Sequence, residues 1–157
     1  MRLQIITIGT KMPKWTELAF SEYAKRFSRE FPLTLTTIPM PKRSHTNSVD
    51  RYIAEEGAAM LTAIPPKSIT IALDERGKLW NTQELAKQIE HFQNNTPQLN
   101  FLIGGPDGLS KVCLEKAHTQ WSLSPLTLPH PLVRILLVEQ LYRAVSILNN
   151  HPYHRGS

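Results

Sequence analysis

Apolar residues run almost without interruption through RLQIITIG, residues 2–9, and stop at a glycine, the pattern of a strand buried on both faces. A four-residue spacing follows: Trp15, Ala19, Tyr23 and Phe27 predict one face of a helix in WTELAFSEYAKRFSREF. LTLTTIP is a second strand, stopped by Pro39, and MPKRSHTN is a basic loop too polar for a core. In SVDRYIAEEGAAMLTAI, Val49, Ile53, Met60 and Ile64 recur at helical spacing behind Ser48 as N-cap, while Gly57 costs that helix about 1 kcal/mol. SITIALD is a third strand. Asn81, with Glu84 three residues on, forms a capping box for a helix through LAKQIEHFQ that ends near Asn94 and Asn95. NFLIGG is a fourth strand, again ending in glycine, and SKVCLEKA is a further helix.

Residues 121–155 depart from this rhythm. A short apolar strand is followed by prolines at 125, 129 and 131, which fix φ and remove backbone donors, so 124–130 must be an irregular loop. The longest apolar helix comes next. At 100° per residue its polar side chains Glu139, Gln140, Arg143, Ser146 and Asn150 share one arc, whereas Arg134 falls opposite, with Val138, Leu141 and Val145. An arginine on an apolar stripe is either a buried charge paired with a carboxylate or carbonyls, or a cation at a subunit interface or against a ligand.

Strand and helix alternate along the chain, which predicts an α/β fold with a mostly parallel sheet covered by helices on both faces. All 157 residues fit a single domain, 1–157, with no linker or repeat. Ligands in such sheets bind outside the carboxyl ends of the strands. Three loops qualify: LDERGK after the third strand, GGPDGLS after the fourth and SPLTLPHP after the last.

Composition narrows the function classes. No apolar run reaches a membrane span, and the N-terminal strand is too short and too soon followed by lysine for a signal peptide, so a cytoplasmic protein is expected. The single cysteine, Cys113, excludes an internal disulfide and a cysteine cluster and reads as core filler. A net charge of +5 is concentrated in the first third, at Lys11, Lys14, Lys25, Arg26, Arg29, Lys42, Arg43 and Arg51, which favours nucleic acid over an ordinary solvated face.

The motifs exclude as much as they suggest. GGPDGL follows a strand but lacks both GxGxxG and a GK[ST] ending, so it is not a nucleotide-phosphate loop. Its glycines either let the backbone approach something flat or simply make a turn. Asp74 and Glu75 cap their loop or pair with Arg76 or Lys78; with no second carboxylate or histidine cluster at ligand spacing, no metal is expected. No serine sits in a nucleophile elbow. The tail HPYHRGS places His151, Tyr153, His154 and Arg155 together, either a surface for an unstacked base or a polar chain end.

LIGGPDGLS at 102–110, LTLPHPLVRILLVEQLYRA at 126–144 and NHPYHR at 150–155, together with the opening LQIITIGTKMPKW, resemble the ribosomal RNA large-subunit methyltransferase H family. These are pseudouridine N3-methyltransferases of the SPOUT superfamily acting on 23S rRNA in the assembled ribosome. The resemblance covers essentially the whole chain. It implies a C-terminal trefoil knot, an exception to the usual rules of chain connection, and a homodimer formed across the knot helices. It implies S-adenosylmethionine held by backbone groups of the three loops: Leu73 in the first, Gly105 in the second, and Ser124, Pro125, Leu126, Thr127, Leu128 and Pro129 in the third.

Transfer to N3 of a pseudouridine requires that its proton be removed or the anion stabilised, and His130, His154 and Arg155 are the polar side chains expected near the pocket. Tyr153 is expected to hold the base while His154 or Arg155 meets its edge, in the same subunit or in the partner's pocket. A non-catalytic ribosome- or RNA-binding module, using the basic first third and the same tail, is the alternative.

Overall fold

The computed structural model describes residues 1–155 except Thr10, Arg43, His45 and Asn47; Arg43 of the basic first third therefore lies outside the described residues. Five strands, β1 (Arg2–Ile8), β2 (Leu33–Ile38), β3 (Ile69–Leu79), β4 (Gln98–Ile103) and β5 (Thr119–Ser122), form one sheet in the order β2-β1-β4-β3-β5. Every pairing is parallel. The helices are α1 (Lys14–Ala24), α2 (Val49–Ala63), α3 (Thr82–Gln93), α4 (Lys111–Lys116) and α5 (His130–Leu148), and a single 3-10 turn, Pro152–Arg155, follows.

Strand side chains alternate between two layers, as a pleat requires. Leu3, Ile5, Leu99, Phe101 and Ile71 face a core completed by Phe20 of α1, Leu85 and Ile89 of α3, and Leu137 and Leu141 of α5. Ile6, Ile8, Leu102 and Ile38 face a second core with Met60 of α2 and Cys113 of α4. The continuous apolar run of β1 follows directly, since both its faces are covered. No described helix is long and apolar enough to cross a membrane.

The second face also carries a polar row near the amino ends of the strands. Gln4 donates to Thr36 Oγ1 at 2.8 Å, Gln98 donates to Gln4 Oε1 at 2.8 Å and to Asn100 Oδ1 at 3.0 Å, and Asn100 donates to Ser68 Oγ at 2.8 Å. His118 closes the row: its Nδ1 accepts from the Thr70 amide at 3.1 Å, and its own amide donates to the Thr70 carbonyl at 2.8 Å.

Several expectations shift in detail. α1 ends at Ala24 rather than running to residue 31, and its buried line is Thr16 and Phe20 rather than Trp15, which is half exposed. α2 buries Tyr52, Glu56, Gly57 and Met60 and leaves Val49 exposed, because a narrow inner face meets both the sheet and α4. Ser146 leaves the polar arc: it is buried, its hydroxyl satisfied by the Tyr142 carbonyl one turn back at 2.8 Å. The third strand continues through the segment expected as a loop. β3 pairs with β5 up to Leu73, bulges, and resumes at Lys78. Gly77 makes this possible, because a Cβ there would lie 2.6 Å from the Gln120 carbonyl carbon on β5.

Candidate functional site

A cleft of about 740 Å³ opens at the carboxyl ends of the strands, within the size range of small-molecule sites. The three expected segments meet in it, and each is shaped by local chemistry. In the β3 bulge the Asp74 carboxylate accepts from the Arg76 amide at 2.8 Å and lies 3.5 Å from its guanidinium, so Asp74 holds the loop rather than a ligand. Leu73 lines the cleft where the bulge begins.

After β4 the chain turns through Gly104, Gly105 and Gly108. The Gly108 amide donates to the Gly105 carbonyl at 3.0 Å, and Gly108 has φ +82°, a conformation that favours glycine. A Cβ on Gly104 would sit 2.6 Å from the Gly108 carbonyl carbon, and one on Gly105 3.0 Å from Glu56 Oε1. Glycine at these two positions lets the turn close against its own backbone and against Glu56, and the main chain of Gly104, Gly105 and Gly108 lines the cleft. Glu56 is buried on α2 beneath the turn.

After β5 the Ser122 hydroxyl donates to the Ser124 carbonyl at 2.9 Å and the Leu126 amide donates to Ser124 Oγ at 2.9 Å. These bonds fold the proline-rich loop into a fixed edge. Ser124, Leu126, Thr127 and Leu128 line the cleft, whereas Pro125 and Pro129 flank it from outside.

His130, the first residue of α5, also lines the cleft, and its Nε2 is buried without a hydrogen-bond partner in the protein. Burial first, and then the nearby charge of Arg134, hold its imidazole below the usual histidine pKa, partly offset by a backbone hydrogen bond at Ile8; His130 is neutral at pH 7. Arg134 is buried and donates from Nη2 to the Gly9 carbonyl at 3.1 Å, while its Nε has no partner. Of the two alternatives for this arginine, the structure has the buried charge paired with a carbonyl. It fastens the end of β1, where Gly9 turns with φ +93°.

The tail lies elsewhere. Its 3-10 turn folds back along α5, with the Tyr153 hydroxyl donating to Glu139 Oε1 at 3.2 Å. Glu139 is about 14 Å along the helix axis from His130. The Tyr153 ring packs 4.7 Å from Tyr142 and lies between the guanidinium groups of Arg26, at 5.7 Å, and Arg143, at 4.8 Å. Arg143 is held further in its charged form by its hydrogen bond to Glu139, and burial raises the Tyr153 phenol pKa. Within one protomer Tyr153, His154 and Arg155 are thus not brought to the cleft that holds His130, and none of them lines it.

Part of the cleft wall was not expected from the sequence. Ile8 at the end of β1, Gly9, Lys11 and Met12 after it, and Met40 after β2 contribute to it. The signal was present: β1 ends in glycine as β4 does, and the strand-end rule applies to every parallel strand. Among the described residues no group of three or more histidine, cysteine, aspartate or glutamate side chains could hold a metal ion.

A parallel α/β sheet whose strand-end loops build a backbone-lined cleft without a phosphate signature defines a class of small-ligand domain. The chain belongs to the SPOUT methyltransferase family: a family model described as predicted SPOUT methyltransferase matches residues 1–154.

Proposed function

We propose that the protein is an S-adenosylmethionine-dependent methyltransferase acting on N3 of a pseudouridine in 23S ribosomal RNA, on the assembled ribosome in the cytoplasm. The match over residues 1–154 supports reading the whole chain as one methyltransferase domain. The observation that carries the proposal is the convergence of Leu73, Gly105, Ser124, Leu126, Thr127 and Leu128 on one cleft. The fit to the cofactor rests on the same wall. The backbone of Gly104, Gly105 and Gly108 lines it and can lie against an adenine, a Cβ on Gly108 would meet nothing within 4 Å, and no phosphate-binding motif is present. When bound, the cofactor supplies an electrophilic methyl group on a sulfonium.

The reaction replaces the N3–H bond by an N3–CH3 bond and releases a proton, with the carbon–sulfur electron pair staying on sulfur. Holding the acceptor nitrogen in line with the methyl is the main task of the protein. His130, neutral and on the cleft wall, can take the N3 proton. Arg155 is exposed at the end of the tail and can stabilise the developing anion, with His154 beside it. For these groups to meet, the tail must come from a second protomer. Exposed apolar side chains support a homodimer: α1 packs on α5, and Trp15 and Leu18 of the one and Leu132 and Leu136 of the other are left exposed, beside a groove lined by Ile135, Leu136 and Tyr153. The trefoil knot belongs to the same proposal, supported by the meeting of 73–76 with 122–124 and 126–128 in one wall.

Calorimetry with S-adenosylmethionine, followed by methyl incorporation into intact ribosomes and into naked rRNA, tests the reading. One site per protomer and incorporation at N3 in ribosomes are expected. Arg155→Ala then lowers the methylation rate by about 100-fold while cofactor affinity holds. Absence of cofactor binding, with RNA binding retained, leaves the non-catalytic module instead.

A further inference from the structure

The cleft spans more of the sheet than the donor loops do. In space the strands run β2-β1-β4-β3-β5, so the loops proposed to hold S-adenosylmethionine leave the three adjacent strands β4, β3 and β5. The ends of β1 and β2 form the other end of the same opening, and there the chemistry changes. Met12 is half-buried and folds back toward Gly9, the Met12 methyl lying 3.9 Å from where a Gly9 Cβ would be. Met40 is 44 % exposed at the cleft rim, where its side chain is open to a ligand in the cleft. Lys11 is exposed on the same rim and makes no ion pair among the described residues.

This wall is rigid without being part of the donor loops. Gly9 is held from both sides: its amide donates to the Ile38 carbonyl at 2.8 Å, and its carbonyl accepts from Arg134 at 3.1 Å. The first bond fastens the β1 end to the β2 end beside Met40. Two thioether side chains form a soft, polarisable surface that adapts to a flat ring, and a free ammonium beside them suits a backbone phosphate. In-line transfer also requires the acceptor to approach the methyl from the side away from sulfur, so donor and acceptor need separate parts of one opening.

We infer that Lys11, Met12 and Met40 form the acceptor subsite: the methionines seat the target nucleobase of an RNA strand, and Lys11 holds a phosphate next to it. The inference rests on the methyltransferase reading above. It makes these residues binding determinants for RNA and leaves donor binding to the other three strands.

Four proteins test it: the wild type, Lys11→Ala, Met40→Ala and Met12→Ala/Met40→Ala, each checked for an unchanged melting temperature. Met40→Ala alone alters only an exposed side chain, so at least one variant folds as the wild type does. For each, calorimetry reads the Kd for S-adenosylmethionine, and methyl incorporation into ribosomes reads KM for the RNA substrate at several salt concentrations. The double methionine variant is expected to raise KM for ribosomes about tenfold, with Met40→Ala accounting for part of it and the cofactor Kd unchanged. Lys11→Ala is expected to reduce the slope of log KM against log salt by about one. A rise in cofactor Kd with KM for ribosomes unchanged assigns the methionines to the donor and overturns the subsite, as does no change in either. Failure of the wild type to bind S-adenosylmethionine sinks the methyltransferase reading itself, and the subsite with it.

Discussion

Gly57 illustrates how one residue can serve two elements. It sits inside α2, where glycine costs about 1 kcal/mol in helix propensity, yet a Cβ there would collide with the side chain of Ser110, which caps α4 by accepting from the Cys113 amide at 3.2 Å. The helix thus gives up some intrinsic stability so that α4, which follows the glycine turn, can dock. The sequence disclosed the cost but not the reason, because residue 110 is distant in the chain. Gly77 is stricter, since its would-be neighbour is backbone. Gly77→Ala is expected to lower stability by about 1–3 kcal/mol through a clash with β5, read as a shift in the urea midpoint. His130 gives a pH signature. Its folded pKa lies below its unfolded one, so its contribution to stability is intact above about pH 6.5, the ordinary value. It declines as the pH falls through that value, because the unfolded chain takes up a proton that the folded one refuses. The stability difference between the wild type and His130→Gln should therefore shift against the wild type between pH 7.5 and 5.5 in denaturation curves, and a flat difference would contradict a neutral buried imidazole.

At the scale of elements, α3 was the most legible because its start is written locally. Asn81 Oδ1 accepts from the Glu84 amide at 2.8 Å and Glu84 Oε2 accepts from the Asn81 amide at 2.7 Å, the reciprocal pair that the spacing foretold. Asn81→Ala is expected to cost about 1 kcal/mol, measurable as a lower melting temperature with native circular dichroism retained. α1 and α2 were legible as helices, but their inner faces were not. Trp15 and Val49 are apolar and correctly spaced, yet they point outward, since periodicity counts apolar residues without knowing which surface will meet the sheet. β3 was cut short at Asp74 for a similar reason. Asp74, Glu75 and Arg76 look like a loop, and only pairing with β5 shows that the strand resumes beyond them.

For the whole molecule, the parallel sheet and the meeting of three strand-end segments could be read from the alternation of strand and helix and from the rule that ligands bind at strand ends. The remaining wall, from β1 and β2, and the position of the tail could not, because both depend on which strands become neighbours and on how the chain folds back along α5. The exposed apolar side chains Trp15, Leu18, Leu132 and Leu136 on the packed pair α1 and α5 set the prediction at this scale. Leu136→Glu places a carboxylate in the proposed dimer contact, and is expected to yield monomers in sedimentation that still bind S-adenosylmethionine but no longer methylate ribosomes. The polar row through Thr36, Gln4, Gln98, Asn100 and Ser68 has a consequence at the opposite edge of the sheet. Parallel strands packed by aliphatic side chains alone could slide by two residues and still bury their faces, whereas a slide here would break donor–acceptor matches in several strands at once. The row therefore acts as a vernier: it sets how far each strand projects at its far tip, and so fixes the depth of the ligand opening from the other side of the molecule.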